Sequence, residues 1–280
     1  MEFRYRLSQV NPSLVSYLSV AAPMAMIVLG EALLFTGNMD GSIMAHLLNV
    51  LICVMAPFVL GSNPMIWQSF SLVSMLRVLN LGMPKFATLT IYWLPLVYAP
   101  AILVGFLLIR NETLGWRDYL RKMAKFFELR PKLSGWKLWY LPAGLTISLV
   151  LANIEFVVLS RTIDDLRMVP NLEVQNVLAL FLVMVFFVGL GEELVFRYIL
   201  QTRLEGVLGV LGAIMFASVT FAAMHSGYQS GPYIAYVFLV AFLLGSLYYK
   251  TRSLALVSLI HGTLNFFLFS FLPFGYLVLF

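Results

Sequence analysis

The feature that most constrains this chain is the length of its apolar runs. Nine can be drawn, at residues 13–35, 43–60, 66–82, 88–109, 138–160, 177–200, 207–225, 232–249 and 254–272. Each is close to the roughly 20 apolar residues that carry a helix across a bilayer. The runs are continuous rather than alternating, which favours helices over the period-two pattern of barrel strands. Charged residues make up 11% of the chain, against about 25% in a soluble domain, so such a chain cannot cover its own surface in water. The sequence therefore predicts an all-α, polytopic transmembrane helix bundle of about eight or nine spans. The third run is the weakest, because Arg77 interrupts it.

The first run follows Arg4 and Arg6 and extends from about Leu14 to Phe35. That is longer than the apolar core of a cleaved signal, and more spans follow, which predicts an uncleaved first helix. The single cysteine, Cys53, allows no internal disulfide and no cysteine-based metal cluster. No internal repeat is visible.

Charge orients the bundle. Eight of the 18 Lys and Arg residues fall between Arg110 and Lys137. The positive-inside rule puts that segment in the cytoplasm, together with the N-terminus, Arg203 and the Lys250–Arg252 turn. The turns Gly37–Ser42 and Ser226–Pro232 carry no Lys or Arg and fall outside. The net charge of +5 is thereby assigned to anionic lipid rather than to nucleic acid. Within the basic segment Trp116, Tyr119, Met123 and Phe126 recur at helical spacing, with Arg117, Arg121, Lys122 and Lys125 at other positions, which reads as an interfacial amphipathic helix. The chain divides accordingly into residues 1–137, N-terminal helices plus the basic loop, and residues 138–280, which hold most of the unusual polar groups.

Directly after the apolar run Val177–Leu190 comes GEELVFRYIL, with Glu192, Glu193 and Arg197. A charged side chain at a helix centre costs roughly 2.5–3.5 kcal/mol on insertion scales. Glu193 and Arg197 are four apart with the acid first, the favourable order for an intrahelical pair. Glu192 lies about 100° away around the helix, with no evident partner. A carboxylate of that kind suits a general base; the plainer alternative is that the segment merely ends a span near headgroup water.

The histidines weigh against the plainer alternative. Two of the three, His225 and His261, lie in later apolar segments. His261 and Asn265 are four apart and leave one helix face, as a pair of oxyanion donors would. Other polar residues have ordinary readings: His46 in packing or helix–helix bonding, Glu31 near a span end, Asn153 and Glu155 in structural hydrogen bonds, Asp164 and Asp165 in loop solvation. The zinc-protease motif H-E-x-x-H and the nucleophile elbow G-x-S-x-G are both missing, which argues against a serine mechanism.

The ordered motifs Glu192-Glu193-Leu-Val-Phe-Arg197, Phe221 to His225, and His261 to Asn265 resemble the CPBP family, the type II CAAX prenyl proteases and the bacteriocin-processing or Abi-like membrane proteins. The resemblance covers about residues 176–267 and includes Leu243–Leu254 before the last motif. Tyr198 departs from it, since the family often has glycine there. The resemblance implies an endopeptidase that cuts a peptide bond of a membrane-associated substrate, either a prenylated C-terminal peptide or an unmodified peptide precursor. Glu192 would be the general base, His225 would help position the attacking water, His261 and Asn265 would form the oxyanion pocket, and Glu193 and Arg197 would support the site. A zinc ion held by Glu192, His225 and His261 is compatible with these residues. So is a carboxylate-activated water without metal, and the lack of a helix spacing dedicated to zinc favours that version.

Two other classes stay open on sequence: a proton-coupled transporter, and a catalytically silent scaffold or immunity protein. The missing repeat counts against the first. One difficulty concerns depth. Counted from Val177, Glu192 lies about 22 Å along its span at 1.5 Å per residue, whereas His225 falls near the outer face. The two can meet only if a boundary shifts or a helix tilts or breaks.

Overall fold

The computed structural model describes residues 12–83, 90–126 and 140–280, and every regular element among them is helical. Residues 127–139, which hold the rest of the basic segment, and the N-terminal Arg4 and Arg6 lie outside the described residues. In the N-terminal half the helices are α1 (Pro12–Phe35), α2 (Met39–Leu60), α3 (Pro64–Leu81), α4 (Thr90–Asn111) and α5 (Trp116–Phe126). They are followed by α6 (Tyr140–Leu159), α7 (Val174–Val183), α8 (Leu190–Glu193), α9 (Thr202–Ala223), α10 (Gly231–Thr251) and α11 (Leu254–Phe269). Two π-helical stretches, Met184–Gly189 and Leu194–Gln201, join α7, α8 and the first turns of α9, up to Gly209, into one long rod.

Among the described residues, seven helical stretches are long and apolar enough to cross a membrane. The longest, Val174–Tyr228, doubles back within itself at Gly209, whose φ of 69° and ψ of 175° break the helix where a side chain would be strained. Phe196 and Phe221 meet edge to face across the resulting hairpin, their ring centroids 4.9 Å apart. Helix α3 is too polar to count among the seven, yet Trp67, Phe70, Val73 and Leu76 bury its face in the bundle.

The hairpin resolves the difficulty over depth. Expected boundaries at 200 and 207 treated Thr202, Arg203 and Glu205 as a connecting loop, but these residues continue the helix up to Gly209. Phe196 and Phe221 lie almost equally far from Gly209, and so do Glu192 and His225. An antiparallel pair that sets the first two level also sets the second two level. Each arm is about 25 Å at 1.5 Å per residue.

Polar ties gather at one end of the bundle. Arg203 donates to the Met65 carbonyl at 2.6 Å and to Ser69 Oγ at 2.9 Å, and it pairs with Glu112. Arg252 pairs with Glu205 at 2.7 Å. The beginning of α3, the end of α4, the Gly209 tip and the end of α10 thus share this end. The amphipathic helix expected there is α5, where Tyr119 and Met123 pack on the core while Arg121 is exposed.

Candidate active site

Opposite that basic end lies a cavity of about 640 Å³ whose wall includes Glu192, His225, His261 and Asn265. The fold thus brings together four residues that the sequence scatters over 74 positions. Glu192 comes from α8, between the two π-helical stretches. Such widened turns recur at functional sites because they re-aim side chains within a helix. His225 follows the end of α9, and His261 and Asn265 are on α11.

Close backbone packing sets His261 against the two glutamates. A Cβ on Gly262 would stand 2.5 Å from Val185 Cα and 2.7 Å from the Met184 carbonyl oxygen. Small residues let membrane helices approach this closely, and Gly189 performs the same service from the other side, beside the Ser258 carbonyl. As a result, His261 Nδ1 donates to Glu193 Oε1 at 2.8 Å, while its Nε2 faces Glu192 Oε2 at 3.5 Å. The Glu193 bond fixes which ring nitrogen looks into the cavity.

Glu193 and Arg197 form the expected pair, Oε2 to Nε at 3.1 Å, with both side chains fully buried. The guanidinium also lies 5.0 Å from the Phe221 ring centroid, a cation–π contact in an apolar setting. Phe221 in turn touches the rings of His225, at 5.0 Å, and His261, at 5.7 Å. His225 Nδ1 donates to the Phe221 carbonyl at 3.0 Å, which leaves Nε2 as the lone-pair nitrogen of the neutral ring.

Four further residues stand beside Glu192 and His225, and the three tyrosines among them carry no signal in the sequence. Tyr98, on α4, donates its hydroxyl to Glu192 Oε1. Glu155, read from sequence as a structural hydrogen bonder, does accept from Tyr233 at 2.8 Å, but it also lines the cavity. Tyr233 and Tyr228 flank the His225 ring at 5.9 and 6.3 Å. Asn153 has the structural role expected: it donates to the Leu149 and Leu277 carbonyls and accepts from Leu279 N.

His46 has the helix–helix bonding expected of it, and Glu31 lies near the end of its span as expected, but there it anchors a buried polar cluster. Glu31 is buried and accepts from Ser226 Oγ at 2.5 Å, pairs with Arg77 Nη2 at 2.5 Å, and meets His46 Nε2 at 3.1 Å. The far nitrogen of His46 meets Ser74 Oγ at 3.3 Å. Arg77 therefore interrupts its apolar helix because a buried carboxylate awaits it. The cluster ties α1, α2 and α3 to the residue immediately after His225.

At the cavity mouth Asp165 accepts two bonds from Arg167, at 2.9 and 2.8 Å. These bonds press the Asp165 carboxyl down to about 2. The expected solvation of this loop thus includes a bidentate ion pair.

Among the described residues no group of three or more His, Cys, Asp or Glu side chains is gathered closely enough to hold a metal ion. His261 directs both nitrogens at glutamates, and His225 uses Nδ1 on its own helix. In this arrangement Glu192, His225 and His261 do not form a zinc site.

No curated protein and no solved structure matches the chain. Residues 174–267 do match a family model, described as type II CAAX prenyl endopeptidase Rce1-like. The matched segment starts two residues before the resemblance read from the motifs and ends at the same residue. The chain is thus a multi-pass helical membrane protein whose residues 174–267 match the model of Rce1-like, type II CAAX prenyl endopeptidases, consistent with the CPBP family of intramembrane proteases.

Proposed function

We propose that the protein is an intramembrane endopeptidase that hydrolyses a peptide bond of a membrane-associated substrate with a water activated by Glu192. The observation that carries this reading is the shared cavity: a carboxylate, two imidazoles and a carboxamide line one space large enough for an extended peptide segment. Residues 138–280 carry the chemistry, and residues 1–137 support it and contribute Tyr98. The N-terminus is cytoplasmic in this reading.

Glu192 takes a proton from water as the oxygen attacks the scissile carbonyl carbon. Tyr98 holds one carboxylate oxygen, so the proton goes to the side facing the cavity. The lone pair of His225 Nε2 orients the same water from the level arm of the hairpin. Asn265, with His261 beside it, stabilises the oxyanion as the carbonyl becomes tetrahedral. When the carbon–nitrogen bond breaks, the proton held by Glu192 passes to the leaving amine, which restores the base. Glu193 and Arg197 keep His261 in orientation through the Nδ1 bond and the buried charge pair.

Glu192→Gln tests the assignment. The variant should keep its fold, because the amide is nearly isosteric with the carboxylate and Glu192 is not the partner of Arg197. Membrane proteomes of cells with the wild type and the variant are compared, and uncut substrate should accumulate only in the variant. Unchanged processing by Glu192→Gln would sink the mechanism.

A further inference from the structure

Two facts about the bundle, taken together, bear on which side of the membrane supplies the substrate. The first is the distribution of charge. Among the described residues outside the bundle interior, Arg110, Arg117, Arg121, Lys122, Lys125, Arg203, Lys250 and Arg252 belong to helix ends and connections at one end. Only Arg161 and Arg167 lie at the other, and Arg167 is neutralised by Asp165. Such a bias in short connections marks the first end as cytoplasmic.

The second is the position of the cavity. Its rim is formed by Thr90 at the start of α4, by Thr162 and Asp165 from the α6–α7 connection, and by Gly227 and Gln229 after His225. All belong to the end with few cations, and Met168 N donating to the Phe269 carbonyl fastens the α6–α7 connection there. Among the described residues, none from the basic end lines the cavity. Two of the groups are also nearer this end: Tyr98 is eight residues from Thr90 but thirteen from Asn111, and His225 follows the end of its arm. His261 is at mid-helix, seven residues from Leu254 and eight from Phe269. At 1.5 Å per residue the site lies about 12 Å below the rim.

We propose that the cavity opens at the non-cytoplasmic face and that the chain it cleaves is a peptide segment presented on that side, beside its membrane anchor. The substrate half rests on the endopeptidase reading above; the direction of opening does not. A lipidated C-terminus held in the cytoplasm would face the closed, basic end of the bundle and would not reach Glu192. The substrate class that fits is therefore an exported or outward-facing peptide precursor.

The test uses the full chain in intact cells. Cys53 is replaced by alanine, and Thr162→Cys, on the rim, is compared with Lys250→Cys, at the basic end. A sulfonated, membrane-impermeant maleimide should label Thr162→Cys in intact cells as fully as after detergent solubilisation. Lys250→Cys should be labelled only after permeabilisation. Labelling after solubilisation shows that each thiol is reactive, so any other pattern in intact cells overturns the proposed opening. Because the readout needs no activity, its failure is distinct from failure of the Glu192→Gln test. For the substrate, the uncut peptides that accumulate with Glu192→Gln should be digested by a protease added outside intact cells. Peptides protected until the cells are permeabilised would overturn the assignment of substrate side.

Discussion

Gly262→Ala is the most demanding perturbation for this site, because it adds one methyl group and removes no functional atom. The new Cβ would stand 2.5 Å from Val185 Cα and 2.7 Å from the Met184 carbonyl oxygen, both backbone atoms that no rotamer change can move. Carbon atoms rest about 3.5–4.0 Å apart, so α11 and the rod must separate locally by about 1 Å. Overpacking of this kind typically costs about 1–3 kcal/mol. The same displacement would lengthen the 2.8 Å bond between His261 and Glu193 beyond hydrogen-bonding range. A shift of 1 Å in catalytic groups can cost on the order of 100-fold in rate. The expected result is a folded protein with a lowered unfolding temperature in detergent and about 100-fold slower turnover of a substrate identified by proteomic comparison. Gly206→Ala is the control, since nothing lies within 4 Å of its added Cβ, and it should keep wild-type turnover. If Gly262→Ala matched the wild type in both stability and rate, close helix contact would not be what positions His261.

Two further substitutions probe the groups around Glu192. Tyr98→Phe removes the hydroxyl that donates to Glu192 while keeping the ring; a hydrogen bond to a charged group is worth about 1.5–3 kcal/mol, so turnover should fall roughly 10- to 100-fold. Normal turnover in this variant would remove α4 from the chemistry. Glu193→Gln leaves the fully buried Arg197 without its counter-charge. Breaking a buried pair from one side costs about 3–5 kcal/mol, which should appear as a marked drop in the unfolding midpoint and lower yield from membranes. An unchanged midpoint would mean that the cation–π contact with Phe221 alone supports the guanidinium.

The site was legible in the sequence where it conflicts with its solvent. Glu192, Glu193 and Arg197 stand out because charge in an apolar run is costly, and His225, His261 and Asn265 stand out for a milder version of the same reason. Tyr98 does not stand out: tyrosine is ordinary in a membrane helix, and nothing local shows that its hydroxyl meets a carboxylate 94 residues away. Glu155 and Glu31 were visible as charges, but their partners come from distant helices, so only the assembled bundle reveals what they do. Gly262 and Gly189 look like unremarkable small residues until two backbones are seen in contact. The boundaries failed for a related reason. Thr202, Arg203 and Glu205 are polar, as a loop would be, yet Thr202 bonds the Arg197 carbonyl, Arg203 and Glu205 pair with Glu112 and Arg252, and the helix continues to Gly209.

The Gly209 hairpin also bears on how the chain can change over evolutionary time. Its two arms act as paired rulers, one carrying Glu192 and the other His225, read from a common origin at the tip. Inserting one residue in either arm would slide Glu192 past His225 by about 1.5 Å and rotate it by about 100°. Repair would require a second insertion in the opposite arm. Length differences among relatives should therefore gather in the tip or beyond the far ends of the arms, while the interval between Glu192 and Phe196 and that between Phe221 and His225 keep their count.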